Sequence, residues 1–526
     1  MMPRFQSPGD LPRQGFIAVA MVMSSILTAF DVRTASIGLS DLRGAFGLSF
    51  DEGSWLATFA TAPQVLIAPS VGWLIAAFGV KRMMVGPTVL YSVVSILIPF
   101  VSNFEILVAL HAVRAILLGL FVGATLMTAF RNLDRKFWIF ALAFYVLRIP
   151  FAQNLGLYTA GSYSQTIGWQ WLYWQGAIVA PVIGILFWLG GRPTEIDREL
   201  LKRADWGGMA IFGTALTTLY FALDQGNRLD WFRSGLVVTL LSAAAFQAVV
   251  FLWHESRVTE PWAHVSILFS RNIALGFAAI ACFMTASLGS SLLEPNFLVN
   301  VAHLRPEQIG DFSMPYCVLL LATATATAVA LVRSVKQRTT LMIGFICFAF
   351  SAWLGTQLTN LWSLPEFRLI IVLQTFGEEI VFMAAVATLF SNVNPARAIA
   401  LTAYVQVVRL MCSETVATAM TTWVRQREQL HSYLIGLHVT GATPGWNSML
   451  IRLGSGLETG GSQADVVKRG VGVLAGIIQR EAHVQAYIDG FWITFVAAIA
   501  GLFVVSLMTA SPPHPLTTSS SHNQPA

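Results

Sequence analysis

Charge is what this sequence has least of. Asp, Glu, Lys and Arg make up 11% of its 526 residues, against roughly 25% in a soluble domain. Apolar residues reach 55% and mean hydropathy is +0.65, so lipid is the expected solvent and a solvated globular domain is excluded. Cysteine is scarce as well. Cys282, Cys317, Cys347 and Cys412 lie inside apolar runs without paired spacing, which argues against a disulfide framework or a metal site. His431, His438 and His483 form no ligand-like cluster. The opening residues lack the pattern of a removable signal peptide, so the first apolar run is expected to act as the insertion signal. There is no Gly-rich loop ending in Lys-Ser/Thr, hence no nucleotide motor, and no clustered catalytic set that would mark an enzyme. No cofactor or metal is expected, and the net charge of +5 does not indicate nucleic acid, because its distribution follows membrane topology.

Long apolar runs are what the chain does have. At about 20 residues per span, about fourteen are counted: 15–37, 54–76, 83–101, 105–129, 137–161, 170–190, 206–223, 233–254, 273–296, 310–332, 339–358, 368–390, 397–423 and 490–510. An even number puts both termini on one side. Of the basic residues in loops and tails, seventeen fall on the side of the N-terminus, while the short opposite loops hold five, Arg43, Arg228, Arg233, Arg305 and Arg368. That asymmetry predicts cytoplasmic termini. The short basic turns VGWLIAAFGVKRMMVGP and VALVRSVKQRTTLMIGF follow spans 2 and 10. They fit two like halves, spans 1–6 and 9–14, separated by an inserted pair.

The expected layout is all-α: a cytoplasmic N-terminus (1–14), an N-terminal six-helix bundle (15–190) and the inserted pair with its flanking loops (191–272). A C-terminal six-helix bundle (273–510) contains a large periplasmic segment (424–488), and a polar Pro/Ser-rich tail (511–526) is expected to be disordered and cytoplasmic. Segment 424–488 reads as two amphipathic helices around a Gly-rich stretch. It is either a capping loop or a docking surface on the outer mouth.

Charges inside the spans set the functional question. The run 16–39 carries Asp31 and Arg33 in its second half. A charge near mid-membrane costs roughly 2.5–3.5 kcal/mol on insertion scales, so it normally faces a protein interior or a watery cavity. Two residues apart, Asp31 and Arg33 point to nearly opposite sides of a helix and each needs a partner elsewhere.

In its ordered motifs the chain resembles the fourteen-span drug:proton antiporter branch of the major facilitator superfamily, the EmrB/QacA-like exporters. FDVRTASIGL stands where that family has LDxTIVNVALP. Gly53-Ser-Trp55, Gly72-Trp73-Leu74 and Gly79 match its span 2 and following turn, and Trp169-Gln-Trp171 with Pro181 and Gly184 its WxW…PxG. Asp205-Trp-Gly207, Asp224-Gln-Gly226, Glu260-Pro261, Pro295, Gly310, Pro315, Arg409 and Asp489-Gly-Phe491 follow in order. The chain departs from the pattern in three places. Ala76 and Ala77 replace an acid, Leu117 and Leu118 follow Arg114 with Gly119 one place late, and the span 5 motif GPxxGG survives only as Gly156 and Gly161.

The resemblance implies a secondary transporter that exports small amphipathic or toxic compounds across the bacterial inner membrane, coupled to protons by alternating access. Its partners would be the substrate, protons and the bilayer, with a periplasmic adaptor (membrane fusion protein) and an outer-membrane channel as a hypothesis. The alternative is a non-transporting scaffold or sensor acting through 424–488. Asp31, mid-span and at the family's motif position, is the first proton-coupling candidate, a static salt bridge being the competing reading. Arg114 resembles the family's span 4 arginine. His111 shares its face, either titrating or as a satisfied core histidine. Glu378 and Glu379, about 100° apart on a helix, are further proton-coupling candidates. Arg33, Arg409, Glu414 and Glu294 are candidate substrate contacts. For Arg409 and Glu414, five residues apart, a shared polar cavity is one reading. Arg148, two residues before Pro150, is left without a role.

Overall fold

A computed structural model describes residues 11–134, 137–333, 335–394, 397–439, 445–455 and 462–509. The expectations for the first ten residues, for the tail 511–526 and for parts of the Gly-rich stretch lie outside these. The described residues are helical throughout, with no strand. Twelve helices are long and apolar enough to cross a bilayer, and fourteen when each of two bent pairs counts as one span. In chain order the spans are span 1 (Leu11–Ile37), span 2 (Phe50–Ile67 with Val71–Phe78), span 3 (Val80–Leu97), span 4 (Phe104–Asn132), span 5 (Trp138–Ser162) and span 6 (Trp171–Gly190). Span 7 (Trp206–Gly226), span 8 (Gly235–Glu255), span 9 (Arg271–Asn300), span 10 (Pro306–Ser313 with Tyr316–Val332) and span 11 (Gln337–Gly355) follow. Span 12 (Arg368–Asn392), span 13 (Ala398–Leu437) and span 14 (Gln463–Ser506) complete the set.

The bends have chemical causes. Span 2 turns by 56° beyond Ile67, where Pro69 lacks an N–H and cannot continue the ladder. Span 10 turns by 45° at Pro315. In span 9 a π-helical turn, Gly289–Leu293, sits directly before Glu294. It inserts an extra residue into the turn and re-aims the side chains that follow, and such turns are frequent at functional sites.

Burial separates the central spans from the lipid-facing ones. Span 12 has 72% of its apolar stretch buried, and spans 4 and 5 have 61% each, whereas span 8 has 17%. Lipid offers no hydrophobic drive to pack helices, so close approach depends on small residues. A Cβ on Gly119 would lie 2.7 Å from the Gln64 carbonyl oxygen of span 2. The glycine that is out of place against the family pattern is thus the one that lets span 4 touch a backbone.

The two halves meet near both faces of the bundle. On the face away from Leu11, a Cβ on Gly310 of span 10 would lie 2.3 Å from the Tyr158 nitrogen of span 5, and Gln165 donates to Glu307. On the Leu11 side, Phe130 of span 4 and Phe390 of span 12 pack edge to face at 4.9 Å.

Segment 424–488 differs from expectation in one respect. Its helices are not separate elements, because span 13 continues unbroken for 40 residues and span 14 for 44. No proline falls within either helix, so nothing interrupts the ladder at the bilayer boundary. The two are tied by Asp489, which accepts from Arg427 Nε at 2.5 Å and contacts His431 Nε2 at 2.8 Å. The Gly-rich stretch adds a short helix, Trp446–Ser455, packed on span 14 where Gly454 and Gly470 allow backbone contact.

Candidate functional site

Four spans of the N-terminal half converge on one buried ion pair. Asp31 and Arg114 are each 3% exposed, and an Arg114 Nη2 hydrogen donates to Asp31 Oδ1. Tyr91 of span 3 donates to the same carboxylate oxygen at 3.0 Å and accepts from Arg114 at 3.0 Å. Ser95 accepts from Arg114 Nε at 3.0 Å. The guanidinium lies over the rings of Tyr91 and Tyr173 at 5.1 and 5.0 Å. His111 meets the Leu107 carbonyl through Nδ1 at 2.8 Å and the Tyr173 hydroxyl through Nε2 at 3.0 Å. Because a carbonyl only accepts, Nδ1 carries the hydrogen and the neutral Nε2 accepts from Tyr173. Both ring nitrogens are used, so His111 is a satisfied core histidine that braces the network. Breaking such a pair by removing one partner strands a buried charge, which costs about 3–5 kcal/mol.

The C-terminal half gathers acids without bases. Glu294, Glu378 and Glu379 are 6%, 7% and 0% exposed. Ser290 donates to Glu378, whereas Glu294 Oε2 and both Glu379 oxygens have no hydrogen-bond partner, and neither polar atom of the neighbouring Gln374 has one. Electrostatically, Glu378 acts on both other acids. Among the described residues no group of three His, Cys, Asp or Glu is close enough to hold a metal ion. An unpaired ionised carboxylate is costly in a low dielectric, so these positions suit a group that carries a proton or meets a cation.

Arg409 and Glu414 have different neighbours. Five residues separate them by about 140° around a helix, and they belong to different polar groups. Arg409 joins Tyr145 and Arg148 of span 5. Glu414 faces Tyr220, Thr418 and Asp224 on the side of the inserted pair, with Thr418 donating to it at 3.0 Å. Asp224 itself accepts from Thr58 of span 2, and Gln225 donates to the Thr58 hydroxyl at 2.5 Å. Arg33 stands apart from Asp31. Its side chain fills the space over Gly156, where a Cβ would lie 2.8 Å from Arg33 Cγ, and its Nε is buried without a partner. One remnant of the span 5 glycine motif therefore makes room for an arginine that the family pattern lacks.

Tyr91, Tyr145, Tyr173, Asp224, Gln374 and Arg148 were not among the site residues read from sequence. Asp224 and Arg148 had a usable signal, being charges within apolar runs. The tyrosines had none, since their polar tips count for little against their apolar bodies.

Two bundled halves of membrane-spanning helices that enclose ionisable groups define a multi-pass membrane transporter. The chain belongs to the Major Facilitator Superfamily, whose profile matches residues 21–413. It is similar to the multidrug export protein EmrB of Escherichia coli K12, with 23% identity over 514 residues, covering 95% of this chain and 96% of that one. EmrB of Haemophilus influenzae is 24% identical over 301 residues, covering 57% of this chain and 58% of that protein. Among solved structures, a peptide transporter, POT, in complex with sulfate matches with a TM-score of 0.54 and 13% identity, covering 96% of this chain and 97% of that one.

Proposed function

We propose that the protein is a proton-coupled exporter of small amphipathic or toxic compounds, working by alternating access in a bacterial inner membrane. The similarity to multidrug export proteins over nearly the whole chain supports the class. The observation that carries the mechanism is the Asp31–Arg114 pair, because it makes one carboxylate's proton state a property of four helices. With Asp31 ionised, spans 1 and 4 are drawn together. Protonation removes that attraction and frees Arg114 and Tyr91 to re-pair, which lets the halves rearrange. Glu378 and Glu379, with Glu294 beside them, form a second position where a proton and a cationic substrate compete. Arg33, Arg409 and Glu414 would contact substrate as the halves part.

Both termini are assigned to the cytoplasm by the loop charges, which puts the long helices of segment 424–488 in the periplasm. Leu430, Tyr433, Leu434 and Leu437 are exposed there at helical spacing, forming an apolar stripe that no described residue covers. That stripe supports docking of a helical adaptor protein that would lead on to an outer-membrane channel.

The test is uphill efflux of ethidium from proteoliposomes under an imposed proton gradient. Asp31→Asn holds the pair permanently broken and is expected to abolish gradient-driven efflux while the protein still inserts. Efflux at the wild-type rate in that variant would remove Asp31 from the mechanism.

A further inference from the structure

One pair of buried charges lies across the interface between the halves, and the mechanism above uses only one of its members. Arg148 lies midway along span 5 and Arg409 midway along the membrane part of span 13, on opposite halves of the molecule. They are 1% and 9% exposed. Arg409 lies near enough to act on Arg148 as a like charge, and among the described residues no carboxylate acts on either. Neither forms an ion pair among the described residues. Arg148 Nη2 and Arg409 Nε are fully buried with no hydrogen-bond partner.

One tyrosine holds both. The Arg148 guanidinium sits 4.5 Å over the Tyr145 ring, and its Nε donates to the Tyr145 carbonyl at 2.9 Å. The Tyr145 hydroxyl donates to Gln406 Oε1 at 2.9 Å, one turn before Arg409 in span 13, so it bridges the two halves beside Arg409. Two guanidiniums in a low dielectric repel each other and each lacks its counter-charge. The arrangement costs stability unless something negative visits it. A carboxylate fits best, because its two oxygens match the planar donor fork of arginine. One turn further on in the same two spans, Phe151 and Cys412 are partly buried apolar side chains, which an apolar ligand body would meet.

We propose that Arg148 and Arg409 form a binding site for amphipathic organic carboxylates at the interface between the halves. This deepens the export reading and rests on it, adding anionic compounds to the cationic ones that the acids of the C-terminal half would attract. The site straddles the halves, so a bound anion draws spans 5 and 13 together and is released when the interface opens.

The probe is 2-naphthoate, titrated onto the purified full-length protein in neutral detergent beside its amine counterpart, 2-naphthylmethylammonium. The site predicts saturable naphthoate binding, weakened about tenfold or more by Arg148→Gln or Arg409→Gln. The Arg148→Lys variant should be weakened less, because it keeps the charge and loses the fork. Circular dichroism and gel filtration check that each variant is folded. Should the glutamine variants fail to fold, the wild-type protein decides alone, since equal affinity for naphthoate and the amine overturns the site. Displacement of naphthoate by chloride at equal concentration overturns the organic class in favour of an inorganic ion. Ethidium efflux by the wild-type protein separates the two claims. Naphthoate binding without any efflux sinks the export reading and leaves the site standing, and efflux without naphthoate binding sinks the site.

Discussion

Two clusters of buried charge, one in each half, are satisfied in opposite ways. In the N-terminal half, Asp31 and Arg114 neutralise each other, and Tyr91, Ser95 and Tyr173 surround them with partners. In the C-terminal half, Glu294, Glu378 and Glu379 gather with one serine donor among them and no base. A satisfied network is rigid and changes only when one member changes its charge. An unsatisfied one is open to whatever arrives. Under the proposed mechanism, the paired cluster would convert a proton into helix movement, and the unpaired cluster would receive protons and substrate.

Four substitutions sharpen or break this contrast. The largest effect is expected for Arg114→Ala, which leaves Asp31 buried and alone and should cost about 3–5 kcal/mol, read as a large fall in the thermal midpoint of the detergent-solubilised protein. Adding Asp31→Asn to it should restore part of the loss. If the double variant is no more stable than Arg114→Ala, the pair is not the source of the penalty. Next comes Gly310→Ala, where the added methyl meets the Tyr158 backbone. Overpacking of this kind costs about 1–3 kcal/mol, and it should part the halves on the far face, raising the accessibility of a cysteine introduced at Asn154. Glu379→Gln breaks no ion pair and should move stability by less than about 1 kcal/mol while abolishing the acceleration of efflux by a proton gradient. A fall as large as that of Arg114→Ala would mean that the C-terminal acids are paired after all. The smallest effect belongs to Leu434→Glu on the exposed stripe, within about 0.5 kcal/mol, with ethidium efflux from proteoliposomes unchanged and co-purification of any adaptor lost.

Much of the architecture was legible in the sequence because lipid imposes a simple rule, and runs of about 20 apolar residues marked every span. The bends at Pro69 and Pro315 went unread, although a proline cannot continue the helical ladder. The continuation of spans 13 and 14 beyond the bilayer was harder to read, since hydropathy reports where lipid ends and says nothing of where a helix ends. The site was legible only in its charges. Asp31 and Arg33 could be sent to different neighbours from helical geometry alone, but that Asp31 meets Arg114 depends on how spans 1 and 4 cross. The Arg148–Arg409 pair was invisible for the same reason, being 261 positions apart in sequence and joined only by the contact of the halves.

The division of labour between the halves is tested most directly by proton release. Ethidium added to the purified protein in unbuffered solution with a pH indicator should displace a proton from the wild-type protein and from Asp31→Asn. Little or no release is expected from the Glu378→Gln/Glu379→Gln double variant. Release that persists in the double variant and disappears in Asp31→Asn would place substrate competition at the paired site and contradict the account.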